Sequence, residues 1–74
     1  MDGKTFTQLD WDDLRHFLAL ATAGTFLGAA KRLGVEHATI SRRVLALEMR
    51  LGRKLIDRRG RRFVLTSDGE KVAE

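Results

Sequence analysis

The chain has 74 residues, 43% of them hydrophobic, and no cysteine. This composition excludes a disordered chain, a disulfide framework and a thiolate metal site, and the length favours one small domain. Residues 31–62 hold eleven basic and three acidic side chains, so this stretch has a formal charge of +8 between acidic flanks. A basic stretch inside a folded domain is typical of proteins that bind a polyanion, although a solvated charged surface is the alternative.

The N-terminus lacks the pattern of a signal peptide, and no apolar run approaches the ~20 residues of a membrane span. We therefore expect a soluble, cytoplasmic protein that does not contact a membrane. Residues 1–8 are polar without a clear period and predict a flexible lead-in. A first helix follows, with Asp10 as its N-cap and Gly24 as its end. Its apolar stripe is Leu14, Phe17, Leu18 and Ala21.

Two short helices follow, joined by a very short connection. Thr25 is placed to cap the second helix and Gly34 to end it, and Gly52 is placed to end the third. The second helix has the stripe Phe26, Ala29, Ala30 and Leu33, and the third has Ile40, Val44, Leu47 and Leu51. Two short helices joined by a glycine turn indicate a helix-turn-helix motif.

After Gly52 the sequence pattern changes from helical to extended. Residues 55–58 and 62–65 predict two short strands, and Arg59-Gly60-Arg61 predicts the turn between them. Thr66 or Ser67 is placed to cap a further helix, and Ser67 with Glu70 resembles a capping box. The predicted class is mainly α, a winged helix-turn-helix over residues 9–65 with a three-helix core and a two-stranded β-wing.

Several segments together resemble the N-terminal region of LysR-type transcriptional regulators. They are LRHF at 14–17, GTFLGAAKRL at 24–33, ATISRRV at 38–44, LEMRLG at 47–52, LIDR at 55–58 and LTSDG at 65–69. The resemblance implies a regulator that binds double-stranded DNA and self-associates through a linker helix. We expect residues 66–74 to be the truncated start of that helix, and a small-molecule effector to bind a missing C-terminal domain.

The sequence departs from the family pattern at five positions. Glu36, His37 and Ala38 stand where serine, glutamine and proline are common, and glutamate caps a helix poorly. Leu27 and Gly28 replace residues that are usually polar, and Gly28 should cost ~1 kcal/mol of helix stability relative to alanine. These departures leave the predicted fold intact and put the operator sequence in doubt.

The third helix carries the predicted base contacts. With its apolar stripe inward, Ala38, Thr39 and Arg42 point the opposite way, and the first turns of a recognition helix are the part that enters the major groove. Arg42 suits a guanine, and Thr39 suits a thymine methyl, a base edge or a phosphate. His37 either donates to DNA or caps the helix locally. Arg42 and Thr39 can also be plain surface residues.

The phosphate backbone is expected to meet other residues. Thr25 can place a hydroxyl beside a phosphate, and Arg61 at the wing tip can enter a narrow minor groove. Alternatively, the wing arginines only keep an edge strand soluble. Ser41 lies at the edge of the buried stripe and can instead bond the backbone. The candidate DNA-binding residues are Thr25, His37, Ala38, Thr39, Ser41, Arg42, Arg43, Arg58 and Arg61.

The sequence gives no support to catalysis. His16 and His37 have no metal-ligand spacing, and neither a nucleophile elbow nor a phosphate loop is present. We expect no enzyme activity, no cofactor and no metal. Two alternatives to the DNA-binding regulator stay open: a winged-helix module that binds another protein, and the head of a molybdate-sensing type of regulator. The wing and the linker start favour the LysR type.

Overall fold

A computed structural model describes residues 3–60 and 62–74, with side chains described from Trp11 onward. The elements in chain order are α1 (Gly3–Ala23), α2 (Phe26–Leu33), α3 (His37–Leu51), β1 (Ile56–Arg59), β2 (Arg62–Leu65) and α4 (Ser67–Ala73). α1 packs against α2 and α3, which also pack against each other, and the two strands form an antiparallel hairpin. The predicted winged helix-turn-helix class is confirmed.

The first helix begins earlier than predicted. It starts at Gly3, so residues 3–8 are helical rather than a flexible lead-in, and Asp10 lies inside the helix rather than at its N-cap. The chain contains no proline to stop this extension, and lengthening an existing helix is far easier than nucleating one. Residues 1–2 of the predicted lead-in lie outside the described residues. Although α1 has 21 residues, no helix in the described part of the chain is long and apolar enough to cross a membrane.

Glycines end α2 and α3 where the sequence predicts. Gly34 and Gly52 take left-handed conformations, with φ of 68° and 66°, and their amides donate to carbonyls of the helices they end. At the other end of α3, Glu36 is the N-cap and makes no side-chain capping hydrogen bond. This confirms that glutamate caps the helix poorly, and the turn of α2 into α3 stays as short as predicted.

The core lies between the three helices and the base of the hairpin. Its largest fully buried apolar side chains are Phe17, Leu20, Ile40, Val44 and Leu55. The buried face of α1 is rotated about the helix axis relative to the predicted one, because Leu20 is buried while Leu14 and Leu18 are only half-buried. Leu51 is 46% exposed at the end of α3, so the predicted stripe of that helix stops at Leu47.

The hairpin is fixed to α3 by a carboxylate. Glu48 Oε2 accepts hydrogen bonds from the amides of Leu55 at 2.8 Å and Ile56 at 3.2 Å. Strand pairing brings Arg59 opposite Arg62. Arg59 therefore belongs to a strand, and the predicted three-residue turn is one residue too long.

The start of α4 is built around a threonine and a glycine. Thr66 is the N-cap: its Oγ1 accepts from the Gly69 amide at 3.0 Å and donates to the Lys54 carbonyl at 2.6 Å. Of the two predicted caps Thr66 is confirmed, whereas the predicted capping box of Ser67 and Glu70 is wrong, because Ser67 is already the first residue of the helix. Gly69 is buried, and a Cβ added there would lie 2.0 Å from the carbonyl oxygen of Leu55.

Candidate nucleic-acid interface

A cleft lies between the start of α2, the first half of α3 and the hairpin. Its walls are formed by Thr25, Phe26, Leu27, His37, Ala38, Ser41, Arg42, Arg58, Gly60 and Arg62. Six of the nine residues predicted to bind DNA are among these. The fold therefore brings α3 and the basic hairpin to one face, although they are separated in sequence.

Phe26 forms the aromatic centre of this cleft. Its ring makes edge contacts with His37 at 6.1 Å and with Phe63 at 5.5 Å between centroids. The Arg58 guanidinium lies over the same ring, 4.7 Å from its centroid, at a distance suited to a cation–π interaction. One half-buried side chain of α2 thus contacts α3 and both strands.

Arg58 also bonds directly to α3. Its Nη2 donates a hydrogen bond to Ser41 Oγ. Two of the predicted DNA contacts are therefore bonded to each other across the cleft. Because a guanidinium has five N–H donors, Arg58 keeps donors for a phosphate while it holds Ser41.

Thr25 caps α2 as predicted. Its Oγ1 accepts a hydrogen bond from the Gly28 amide at 2.9 Å. A Cβ on Gly28 would lie 2.9 Å from that same oxygen, so the glycine leaves room for the cap. The residue for which the sequence predicts a helix penalty therefore also donates the capping hydrogen bond at the start of α2.

The first turns of α3 present the remaining candidates. His37, Ala38 and Arg42 are exposed, whereas Thr39 is half-buried. Arg42 Nη2 donates weakly to Thr39 Oγ1 at 3.4 Å, and the guanidinium otherwise faces solvent. Arg42 is therefore free to present two parallel donors to an external acceptor.

Arg43 is placed elsewhere. Its Nη1 lies 3.4 Å from Oδ1 of Asp13, which is buried in α1. This pair joins α3 to α1, and Arg43 does not line the cleft. Arg61 lies outside the described residues, so its predicted place at the hairpin tip stays a prediction.

Sequence reasoning missed three side chains of the cleft: Arg62, Leu27 and Phe26, which it assigned to the apolar stripe of α2. Arg62 is exposed opposite Arg59, whose guanidinium is paired with Asp57 at 3.1 Å. Strand alternation from half-buried Phe63 would have placed Arg62 on the exposed face. Leu27 is 62% exposed, and the only sequence signal was that it replaces a residue that is usually polar.

The family described as "Bacterial regulatory helix-turn-helix protein, lysR family" matches residues 11–70. The chain belongs to this family. The SDS degradation transcriptional activation protein of a Pseudomonas species is 43% identical over 88% of this chain and 21% of its own length. The AhcY transcriptional activator HvrB of Rhodobacter capsulatus is 39% identical over 92% of this chain and 25% of its own.

Solved structures of LysR-family proteins share the fold. The virulence activator AphB of Vibrio cholerae matches with a TM-score of 0.80 and 35% identity, over 85% of this chain and 22% of that one. A complex of the CbnR DNA-binding domain with DNA matches with a TM-score of 0.79 and 40% identity, over 84% of this chain and 71% of that one. The chain thus spans about a fifth to a quarter of the length of the full-length relatives.

This membership confirms the resemblance to LysR-type regulators seen in the sequence. A family of regulatory helix-turn-helix proteins points to a role other than catalysis. The described residues contain no group of three or more histidine, cysteine or acidic side chains that could hold a metal ion.

Proposed function

We propose that this chain binds duplex DNA in a sequence-specific manner, as the DNA-binding domain of a transcription regulator. The observation that carries the proposal is the cleft, which combines the exposed first turns of α3 with a basic hairpin on one face. The fold match to a CbnR domain in complex with DNA supports it. An α-helix fits the major groove of B-DNA, so α3 is the reading element and the hairpin meets the minor groove or the backbone.

Base reading is assigned to the first turns of α3. Arg42 is exposed and suits bidentate bonds to O6 and N7 of a guanine. His37 and Ala38 lie on the same wall of the cleft, one turn earlier. Thr39 is half-buried beside Arg42 and orients that side chain through its hydroxyl. Arg42 is therefore the main source of base discrimination on this helix.

Backbone contacts are assigned to residues around the rim. The capped N-terminus of α2 at Thr25 offers partial positive charge to a phosphate. Arg58 and Arg61 supply cations from the hairpin, and Ser41 positions Arg58. Arg43 contributes only through guanidinium donors that do not face Asp13.

The wider role rests on the family. We place the protein in the cytoplasm as part of a longer regulator that self-associates through the helix beginning at Ser67. In that arrangement a small-molecule effector binds a separate C-terminal domain. The relatives named above, of which this chain covers only 21% and 25%, support the proposal.

The test is binding to duplex DNA at several salt concentrations, combined with selection from a random duplex pool. Each phosphate neutralised adds about −0.9 to the slope of log K against log salt, so a steep negative slope is expected. The selected pool should share a short motif containing guanine. Failure to bind at low salt would refute DNA binding and favour a protein partner for the basic face. Binding without enrichment of any motif would refute sequence specificity.

A further inference from the structure

Leu27 is an apolar side chain in an otherwise polar and cationic position. It lies in the first turn of α2, is 62% exposed and lines the cleft. Single exposed leucines are common on protein surfaces. This one differs because it lines the same cleft as Ala38, Arg42 and Arg58. The cleft therefore combines two exposed apolar side chains, Leu27 and Ala38, here called the apolar patch, with a cationic rim.

The chemistry of this wall restricts what fits it. The cationic rim selects a polyanion. Among the groups that the major groove of duplex DNA displays, the apolar one is the 5-methyl group of thymine. Duplex RNA does not suit the cleft, because uracil has no methyl group and the A-form major groove is too narrow for side chains.

We infer that the apolar patch of Leu27 and Ala38 receives the 5-methyl group of a thymine, which makes Leu27 a specificity-determining residue on α2. The inference rests on the proposed function. It makes Leu27, which lies outside the recognition helix, a second residue that reads DNA. The base pair that Leu27 reads differs from the one whose guanine is assigned to Arg42. The N-terminal turn of α2 then reads sequence as well as contacting the backbone.

The expected effect follows from the size of one methyl group. When a methyl group is buried against a leucine side chain it is removed from water, and this strengthens binding about fourfold. Replacing the contacted thymine with deoxyuridine removes this methyl and leaves every Watson–Crick hydrogen bond unchanged. The change therefore isolates the apolar contact from base pairing and from the arginine contacts.

The experiment uses the full 74-residue chain and duplexes selected from a random pool at low salt. Each thymine of a selected duplex is replaced singly by deoxyuridine, and affinity is measured by fluorescence anisotropy. We expect one replacement to weaken wild-type binding about fourfold and to weaken the binding of Leu27→Ala by less than half as much, since Ala38 remains. Leu27→Met keeps an apolar side chain and should retain the thymine preference.

Leu45→Ala is the matched control. Leu45 is 54% exposed on α3 and does not line the cleft, so its removal should leave the deoxyuridine penalty intact. Circular dichroism verifies that each variant is folded, and Leu27 contributes little to the core because of its exposure. A folded Leu27→Ala chain makes the comparison decisive.

Three outcomes would overturn the inference. The first is a selected motif without thymine, and the second is a set of deoxyuridine duplexes of which none binds more weakly. The third is a deoxyuridine penalty that is the same in Leu27→Ala as in the wild type. Each of these leaves sequence-specific DNA binding standing, because the selection itself has succeeded. If the selection yields no enriched duplex, the proposed function fails and this inference fails with it.

Discussion

Removing the Glu48 carboxylate should destabilise the whole domain. Its Oε2 accepts from the amides of Leu55 and Ile56, which are 0% and 3% exposed, so neither amide gains water in exchange. Hydrogen bonds to a charged group contribute about 1.5–3 kcal/mol each, and partial exposure of Glu48 lowers this. For Glu48→Ala we expect the free energy of unfolding to fall by roughly 2–4 kcal/mol.

The assay is thermal and urea unfolding followed by circular dichroism. In a domain of this size the expected loss lowers Tm by about 10–25 °C. Glu48→Gln keeps a side-chain oxygen in place without the charge, so its loss should be about half as large. Glu36→Ala is the matched control, because Glu36 makes no capping hydrogen bond. It should change stability by less than about 1 kcal/mol.

The reasoning would be refuted if Glu48→Ala lost no more stability than Glu36→Ala. An equal loss for Glu48→Gln and Glu48→Ala would show that the charge, rather than the acceptor oxygen, holds the hairpin. The three variants therefore separate the hydrogen bonds from electrostatics.

Further variants test the contact of α4 with Leu55, the residues assigned to DNA and the oligomeric state of the chain. Gly69→Ala should reduce the free energy of unfolding by about 1–3 kcal/mol despite better helix propensity, because its Cβ would overlap the Leu55 carbonyl; urea titration checks this, and an unchanged midpoint would contradict it. Arg42→Ala should cost ~1–3 kcal/mol and relax preference at one base pair, whereas Arg61→Ala should weaken all sites and reduce the salt slope. A panel of single-base operator variants at two salt concentrations distinguishes them, and a uniform loss for Arg42→Ala would make it a backbone contact. The 74-residue chain should sediment as a monomer, since α4 has only seven residues and its apolar residues pack on the core; a stable dimer would place the interface elsewhere.

Local signals were enough to predict the positions of α2 and α3. Thr25 caps α2, and Gly34 and Gly52 end α2 and α3 in the left-handed conformation. Each of these helix ends depends on one residue and its near neighbours. The strands were also predicted to within one residue, because extended runs flank Gly60.

The buried face of α1 includes two polar side chains whose hydrogen-bonding needs are met within the fold. Asp13 is 2% exposed and pairs with Arg43 of α3, thirty residues later in the sequence. His16 is 3% exposed, and its Nδ1 hydrogen-bonds to the Asp12 carbonyl of the same helix at 2.7 Å. Polar residues therefore occupied positions that a hydrophobic stripe assigns to solvent, and the predicted face was rotated.

The candidate site was predicted as a set of residues, without the bonds between them. The outward direction of Ala38 and Arg42 follows from helical periodicity alone. The bond of Arg58 to Ser41 depends on how the hairpin folds over α2 and α3, which involves residues 17 positions apart. Only the three-dimensional fold gives that contact.

Two sets of hydrogen bonds hold the hairpin to α3: those of Glu48 at the base of the hairpin, and that of Arg58 with Ser41 beside the cleft. Together these contacts fix the spacing between α3, which is assigned to the major groove, and the hairpin, which is assigned to the minor groove or the backbone. A duplex that does not match this spacing must bend or narrow its minor groove, at a deformation energy that depends on the stiffness of its base steps. Operators are therefore ranked partly by base pairs that no side chain touches. Swapping A-tracts for G·C-rich spacers should change affinity without changing any contacted base.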